Sequence, residues 1–167
     1  MLRPVLRAPD PALSRPAAPV DPDDPEVLAV AIDLVETMRA APGCVGLAAP
    51  QLGEPARLFV LDVTDHPKAR SCSGLVVLAN PVVIEAGELR KGREGCMSVP
   101  DFTGDVGRPA TIVVRGLVPG PVPRERIIEA DAFEARAFGH ELDHLDGLLF
   151  LDRVVGAQAV HPRKRYL

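Results

Sequence analysis

The chain has 167 residues, 47% of them apolar and 25% charged, with a formal net charge of −4. This size and mix fit a single globular domain spanning residues 1–167, with enough chain to bury a real core. The acidic balance speaks against nonspecific binding of nucleic acid or of an anionic membrane surface, and no apolar run approaches the roughly 20 residues a membrane span needs.

The opening stretch MLRPVLRAPDPALSRPAAPV is broken by prolines and lacks the continuous apolar segment of a signal peptide. It is expected to run extended over the surface, and the protein to be cytoplasmic. In that reducing setting Cys44, Cys72 and Cys96 stay unpaired, each either a small core residue or an active thiolate. A helix is expected from Pro25. Asp24 caps it, Leu28, Ala31, Ile32, Val35 and Met38 recur at helical spacing, and Ala-Pro-Gly at 41–43 ends it.

Runs rich in Val and Ile predict strands at 57–63, 74–85 and 111–117, with a shorter one at 126–130. Pro81 places the second of these at an edge or interrupts it. A last helix is expected to begin near Asp131, where Asp131 and Glu134 have capping-box spacing, and to stop at Gly147. No helical crossovers separate the strands. The expected fold class is therefore α+β, with short, mostly antiparallel strands packed around a central helix and a second helix near the N-terminus.

The last helix carries GHELDHLDG at 139–147, an HExxH pattern. At about 100° per residue, His140 and His144 fall within about 40° of each other, with Glu141 at the margin of their face. Residues four apart on a helix are neighbours, so the two imidazoles can converge on one ion. Phe138, Leu142 and Leu145 cluster on the opposite face and would anchor the helix in the core. Two imidazoles leave a tetrahedral site short of one protein ligand and one water. Downstream, His161 lies in a basic tail expected to be mobile, and Asp152 has a shorter reach. Upstream, Cys96 lies in EGCMSVP at 94–100, a segment between expected strands in which Gly95 lets the backbone come close.

GLAAPQ at 46–51, EGCMS at 94–98 and HELDH at 140–144, in this order, closely resemble the three motifs of the peptide deformylases. The resemblance covers nearly the whole chain. It implies that Cys96 is the third ligand beside His140 and His144, and that one divalent metal ion is held there. It implies Fe2+ as the native ion, with Zn2+, Ni2+ or Co2+ as replacements. Glu141 would be the general acid and base, while Gln51 and the backbone N–H of Met97 would hold the carbonyl oxygen. Gly46 would offer backbone to the substrate. Val45, Leu47, Phe133 and Ala137 are the candidates for an apolar pocket that accepts a methionine side chain. Glu94 would pair with Arg108 beneath the site. The implied substrates are N-formylmethionyl peptides, including nascent chains at the ribosome, and the implied activity is removal of their formyl group.

The chain departs from the family in three places. Cys44 stands where bacterial members usually have glycine, Gly139 where they usually have glutamine, and only a short tail follows LLFLDR. None of these is a ligand, so the expectation is that the chemistry is kept and the substrate range is open. Competing readings are hydrolysis of another formylated substrate, a non-catalytic peptide-binding relative, and a general zinc protease. The protease reading explains neither GLAAPQ nor EGCMS.

Overall fold

The computed structural model describes residues 1–164. Among the described residues, two α-helices and eight strands form an α+β fold. The helices are α1 (Pro25–Ala40) and α2 (Ala132–Leu145), and the first five strands are β1 (Gly46–Ala48), β2 (Leu58–Leu61), β3 (Val76–Ala86), β4 (Leu89–Cys96) and β5 (Val99–Pro109). The last three are β6 (Thr111–Val118), β7 (Arg124–Asp131) and β8 (Val160–Pro162). A five-stranded sheet runs in the order β1-β2-β3-β6-β7 and a three-stranded sheet in the order β4-β5-β8, with every strand pairing antiparallel. β3 has 11 residues and matches the run expected at 74–85; β5, also 11 residues, was not expected.

The larger sheet is covered on both faces, and strand alternation decides which residue meets which helix. In β2, Phe59 and Leu61 join Phe138, Leu142 and Leu145 of α2, while Leu58 and Val60 join Val27, Ala31, Leu34 and Met38 of α1. The inner face of α1 therefore passes through Leu34, not through Ile32, which is 56% exposed. Its start is as expected: the Asp24 carboxylate accepts from the Glu26 N–H at 2.8 Å, with Pro25 in the first turn.

α2 begins differently from its sequence pattern. Asp131 is the N-cap residue but makes no side-chain capping bond. Its carboxylate accepts from the Ser71 N–H, and the Glu134 carboxylate accepts from the Ser71 hydroxyl at 2.6 Å and the Ser73 N–H at 2.7 Å. The two acids that were expected to close a capping box instead tie the helix start to the 71–73 loop. The other end follows expectation. Gly147 has φ +75°, its N–H reaches His144 O at 3.2 Å, and the Leu148 N–H reaches Asp143 O at 2.8 Å, the double closure of a Schellman cap.

Pro81 lies inside β3, which is flanked by β2 and β6, and the β3–β6 register shifts between Ala79 and Val82. The proline is accommodated by this bulge, with no ladder bond for it to break. Strands β1, β4, β5 and β8 have no counterpart among the expected strands. The sequence of β4, LRKGREGC, has charge and glycine in place of apolar alternation. Cys96 accordingly ends a strand and does not lie in a connecting segment. The opening stretch does run largely as extended chain, but it is stitched down: the Leu6 N–H reaches Gln51 O at 2.8 Å and the Ala8 N–H reaches Ser98 O at 2.9 Å. His161, expected in a mobile tail, sits in β8 opposite Thr103, with Nε2 3.0 Å from the Asp105 carboxylate. The last residues of that tail, 165–167, lie outside the described residues.

A Cβ at position 147 would lie 2.8 Å from the carbonyl carbon of Ser14, and φ +75° already disfavours any side chain. Gly147→Ala is expected to lower stability by roughly 2 kcal/mol or more, read from the urea unfolding midpoint. An unchanged midpoint would mean that the cap and the N-terminal segment do not close on each other as described.

Candidate metal centre

Three elements meet at the centre of the molecule. α2 presents His140, Glu141 and His144, the end of β4 delivers Cys96, and a 3₁₀ turn at Ala49–Leu52 following β1 delivers Gln51. The ligand atoms of Cys96, His140 and His144 all lie within 4.8 Å of one another. Cys96 Sγ is 3.3 Å from His144 Nε2, and the two imidazoles stand edge to face with centroids 4.9 Å apart. The alternative third ligands are placed elsewhere. His161 bonds Asp105, and Asp152 accepts the Leu149 N–H at 2.8 Å within its own turn.

Glu94 orients this constellation. Its carboxylate is 2.9 Å from His140 Nδ1, takes two bonds from the Arg108 guanidinium at 2.9 and 3.0 Å, and takes a fourth from Arg136 at 2.9 Å. A carboxylate on Nδ1 holds the proton there and turns Nε2 toward the sulfur. Burial alone would raise the Glu94 pKa. The bonds from His140 and Arg108 outweigh it and hold the carboxyl at about 2, so Glu94 stays charged. Arg108 continues the chain by donating to the Asp143 carboxylate and to Gly139 O, and Arg153 donates to Asp143 from the surface side. The Glu94–Arg108 pair is thus present, while the parts played by Arg136, Asp143 and Arg153 had not been anticipated. Arg136 precedes His140 by four residues, a helical spacing that could have flagged it.

The same network accounts for Gly139. A Cβ there would stand 3.1 Å from Arg108 Cδ, tighter than ordinary contact, so the missing side chain leaves room for the buried guanidinium.

The donor set suits a cation. Burial disfavours a charge on His140, yet the Cys96 sulfur and the Glu94 carboxylate favour one strongly enough to raise its pKa well above the usual value. A positive charge at that point is what the surroundings call for, and a thiolate with two imidazoles is a ligand set for Zn2+ or Fe2+. Burial pushes the His144 pKa well down and keeps that ring neutral, as a ligand must be. Glu141 Oε2 is buried with no hydrogen-bond partner, a costly position for a carboxyl group unless something else occupies the cavity beside it. Burial raises the Glu141 pKa to about 7 against the pull of His140 and Arg108, the range in which a carboxyl group can both take and return a proton.

Gln51 is 2% exposed. Its Oε1 accepts the Ala48 N–H at 3.0 Å, which aims the NH2 group at Ser98 Oγ, 3.1 Å away, and at Cys96 Sγ, 3.6 Å away. Ser98 was not singled out from the sequence; it holds the amide next to the sulfur. Met97 and Ser98 form the turn between β4 and β5, so the Met97 backbone follows directly on the sulfur ligand.

A cavity opens onto the centre between two walls, 42–46 on one side and 93–97 on the other, with Phe133, Ala137, His140 and Glu141 of α2 as its floor. Val45 and Gly46 line it, and Phe133 is backed by the His66 ring stacked on it at 3.7 Å. Leu47 does not line it, which corrects the sequence reading. Alternation along β1 turns Gly46 and Ala48 toward α2 and sends Leu47 into the core on the α1 side, where it is fully buried. Cys44 also lines the cavity. Burial first and Glu141 second push its thiol up to about 12, and the Sγ–H donates to Gly46 O at 3.1 Å, so it remains a neutral wall residue.

An HExxH helix completed by a cysteine sulfur, with a carboxyl group beside the ligands, defines a metal-dependent hydrolase. Residues 2–160 match the family model described as polypeptide deformylase. A peptide deformylase of Rhizobium meliloti is 40% identical over 154 residues, covering 92% of this chain and 85% of that protein. The crystal structure of peptide deformylase from Thermus thermophilus superposes with a TM-score of 0.80 at 39% identity, covering 93% of this chain and 87% of the other. A class I type b peptide deformylase of Acinetobacter baumannii, crystallised with Met-Ala-Ser bound, gives a TM-score of 0.80 at 31% identity, covering 92% and 99%. The chain belongs to the peptide deformylase family, enzymes that hydrolyse a formamide bond.

Gly46 and Glu141 are in intimate contact. A Cβ at position 46 would overlap the Glu141 carboxylate, with Cδ at 2.8 Å. Gly46→Ala should therefore displace the carboxyl group while leaving the three ligands in place. The expected result is unchanged metal content by elemental analysis and a kcat reduced by about tenfold or more. Full activity would show that the Glu141 position is not critical.

Proposed function

We propose that this enzyme removes the formyl group from N-formylmethionyl ends of newly made proteins in the cytoplasm, meeting them as nascent chains at the ribosome. The observation that carries the reading is the Cys96–His140–His144 cluster with the unpartnered Glu141 oxygen beside it. The cavity leading to that cluster and the bound Met-Ala-Ser tripeptide of the Acinetobacter relative support a peptide substrate. Met-Ala-Ser is the product that deformylation of formyl-Met-Ala-Ser would leave.

Cys96, His140 and His144 would hold the ion, with Fe2+ as the native metal and Zn2+, Ni2+ or Co2+ as replacements. When bound, such an ion supplies Lewis acidity and lowers the pKa of a water from 15.7 to about 7. Glu141 takes the proton of the attacking water and returns it to the leaving amine, a role its pKa near 7 suits. The Gln51 NH2 group and the Met97 N–H donate to the oxygen of the formyl carbonyl as negative charge develops on it. Gly46 offers backbone to the substrate chain. Val45, Phe133 and Ala137 make the apolar surface for the methionine side chain.

The test is purification without air, followed by metal analysis and a formyl-Met-Ala-Ser assay, run beside Glu141→Ala. The variant is expected to keep its metal and lose about 10²–10⁴ in kcat, the usual share of a general acid and base. Near-normal turnover would remove Glu141 from its role. Faster hydrolysis of other formamides than of formyl-Met-Ala-Ser would move the substrate assignment.

A further inference from the structure

The C-terminal strand places a cation at the mouth of the cavity. β8 pairs with β5 through Phe102–Pro162, Thr103–His161 and Gly104–Val160, and beyond it the Arg163 N–H reaches Asp101 O at 2.8 Å. Asp105 fastens this strand from the side, 3.0 Å from His161 Nε2 and 2.8 Å from Arg93 Nε. The backbone of Arg163 is thereby fixed, and its guanidinium lies over Gly95, where a Cβ would meet Nη2 at 3.3 Å. Arg163 lines the cavity together with Arg93 and Arg136.

The three arginines differ in how they are occupied. Arg93 is paired with Asp105 and Arg136 with Glu94. Arg163 pairs with no carboxylate among the described residues, although the chain as a whole carries a net charge of −4. Gly95 is the residue directly before the sulfur ligand. Successive Cα atoms are about 3.8 Å apart, and the guanidinium lies a further 3.3 Å beyond the Cβ position of Gly95. An extended peptide advances about 3.3 Å per residue, so a substrate that starts with its formyl group at the sulfur and runs along this wall brings its second or third residue opposite the guanidinium.

We propose that Arg163 is a specificity-determining residue that favours substrates carrying a carboxylate at the second or third residue after the formyl group. This inference rests on the deformylase reading above. The carboxylate can be an Asp or Glu side chain or the free C-terminus of a formyl tripeptide, and a planar guanidinium accepts either in two-point contact. The contact lies away from the reacting bond, so it acts on KM and leaves kcat nearly unchanged.

The experiment compares kcat and KM at low salt for formyl-Met-Ala-Ser-amide, the same tripeptide as free acid, and amidated peptides with Asp or Lys at the second or third residue. The expected result is a kcat/KM about two- to fivefold higher for the acidic peptides than for the lysine peptides, the range of a partly exposed ion pair. The difference should sit in KM and fade at about 1 M salt, where the Debye length is about 3 Å. The free acid tested against its amide separates the C-terminal carboxylate from side-chain ones. Arg163→Gln should abolish the preference by raising KM for the acidic peptides to that for the lysine peptides, and Arg163→Lys should keep part of it. Turnover of all peptides without a charge preference, or a preference that survives Arg163→Gln, would overturn this inference alone. Failure to hydrolyse any of the formyl peptides would overturn it together with the deformylase reading.

Discussion

Glu94 and His140 lie 46 residues apart, one at the end of a strand and the other in the middle of a helix, and the bond between them closes the centre. Cys96 is two residues beyond Glu94, so the same contact that fixes the imidazole also fixes the position of the sulfur. A buried carboxylate is costly unless its oxygens are satisfied, and this one takes bonds from His140, Arg108 and Arg136. Arg108 in turn needs Asp143, and Asp143 takes Arg153. The chain of alternating charges holds α2, β4 and β5 in one arrangement. Removing Arg108 would take from both buried acids, Glu94 and Asp143, the one guanidinium buried with them, which is why the network is better understood as a device for geometry than as a source of stability.

The two-sided sheet supplies the frame for this. β2 is buried along its whole length because α1 covers one face and α2 the other. α2 therefore has a fixed apolar side, Phe138, Leu142 and Leu145, and must turn its histidines away from the large sheet. The cavity that results is walled by segments on either side of the motif helix. Its chemical groups come from α2, the end of β4 and the turn at Ala49–Leu52, while its outer shape depends on loops and on β8, elements that vary with little cost to the core.

Much of this was legible in the sequence where local signals agree with the fold. The Asp24 cap, the Gly147 terminus, the histidine spacing and the Val- and Ile-rich strands all read correctly, because capping, φ and periodicity are local properties. What was missed depends on long-range pairing. β4 and β5 are polar and glycine-containing, since one face of that hairpin is open to solvent, and no alternation marks them. Asp131 and Glu134 had the spacing of a cap but were drawn to Ser71 and Ser73, some 60 residues away. Leu47 looked like a pocket residue until strand alternation placed it on the far face. Motif matching, not periodicity, identified Cys96 as the companion of the histidines.

The central claim is that one sulfur and two imidazole nitrogens grip a common ion. X-ray absorption at the metal edge, on protein purified without air, tests it most directly. The account predicts a shell of one sulfur and two imidazole nitrogens, at about 2.3 Å and 2.0–2.1 Å if the ion is zinc. A first shell of nitrogen and oxygen alone, with no sulfur scatterer, would contradict it.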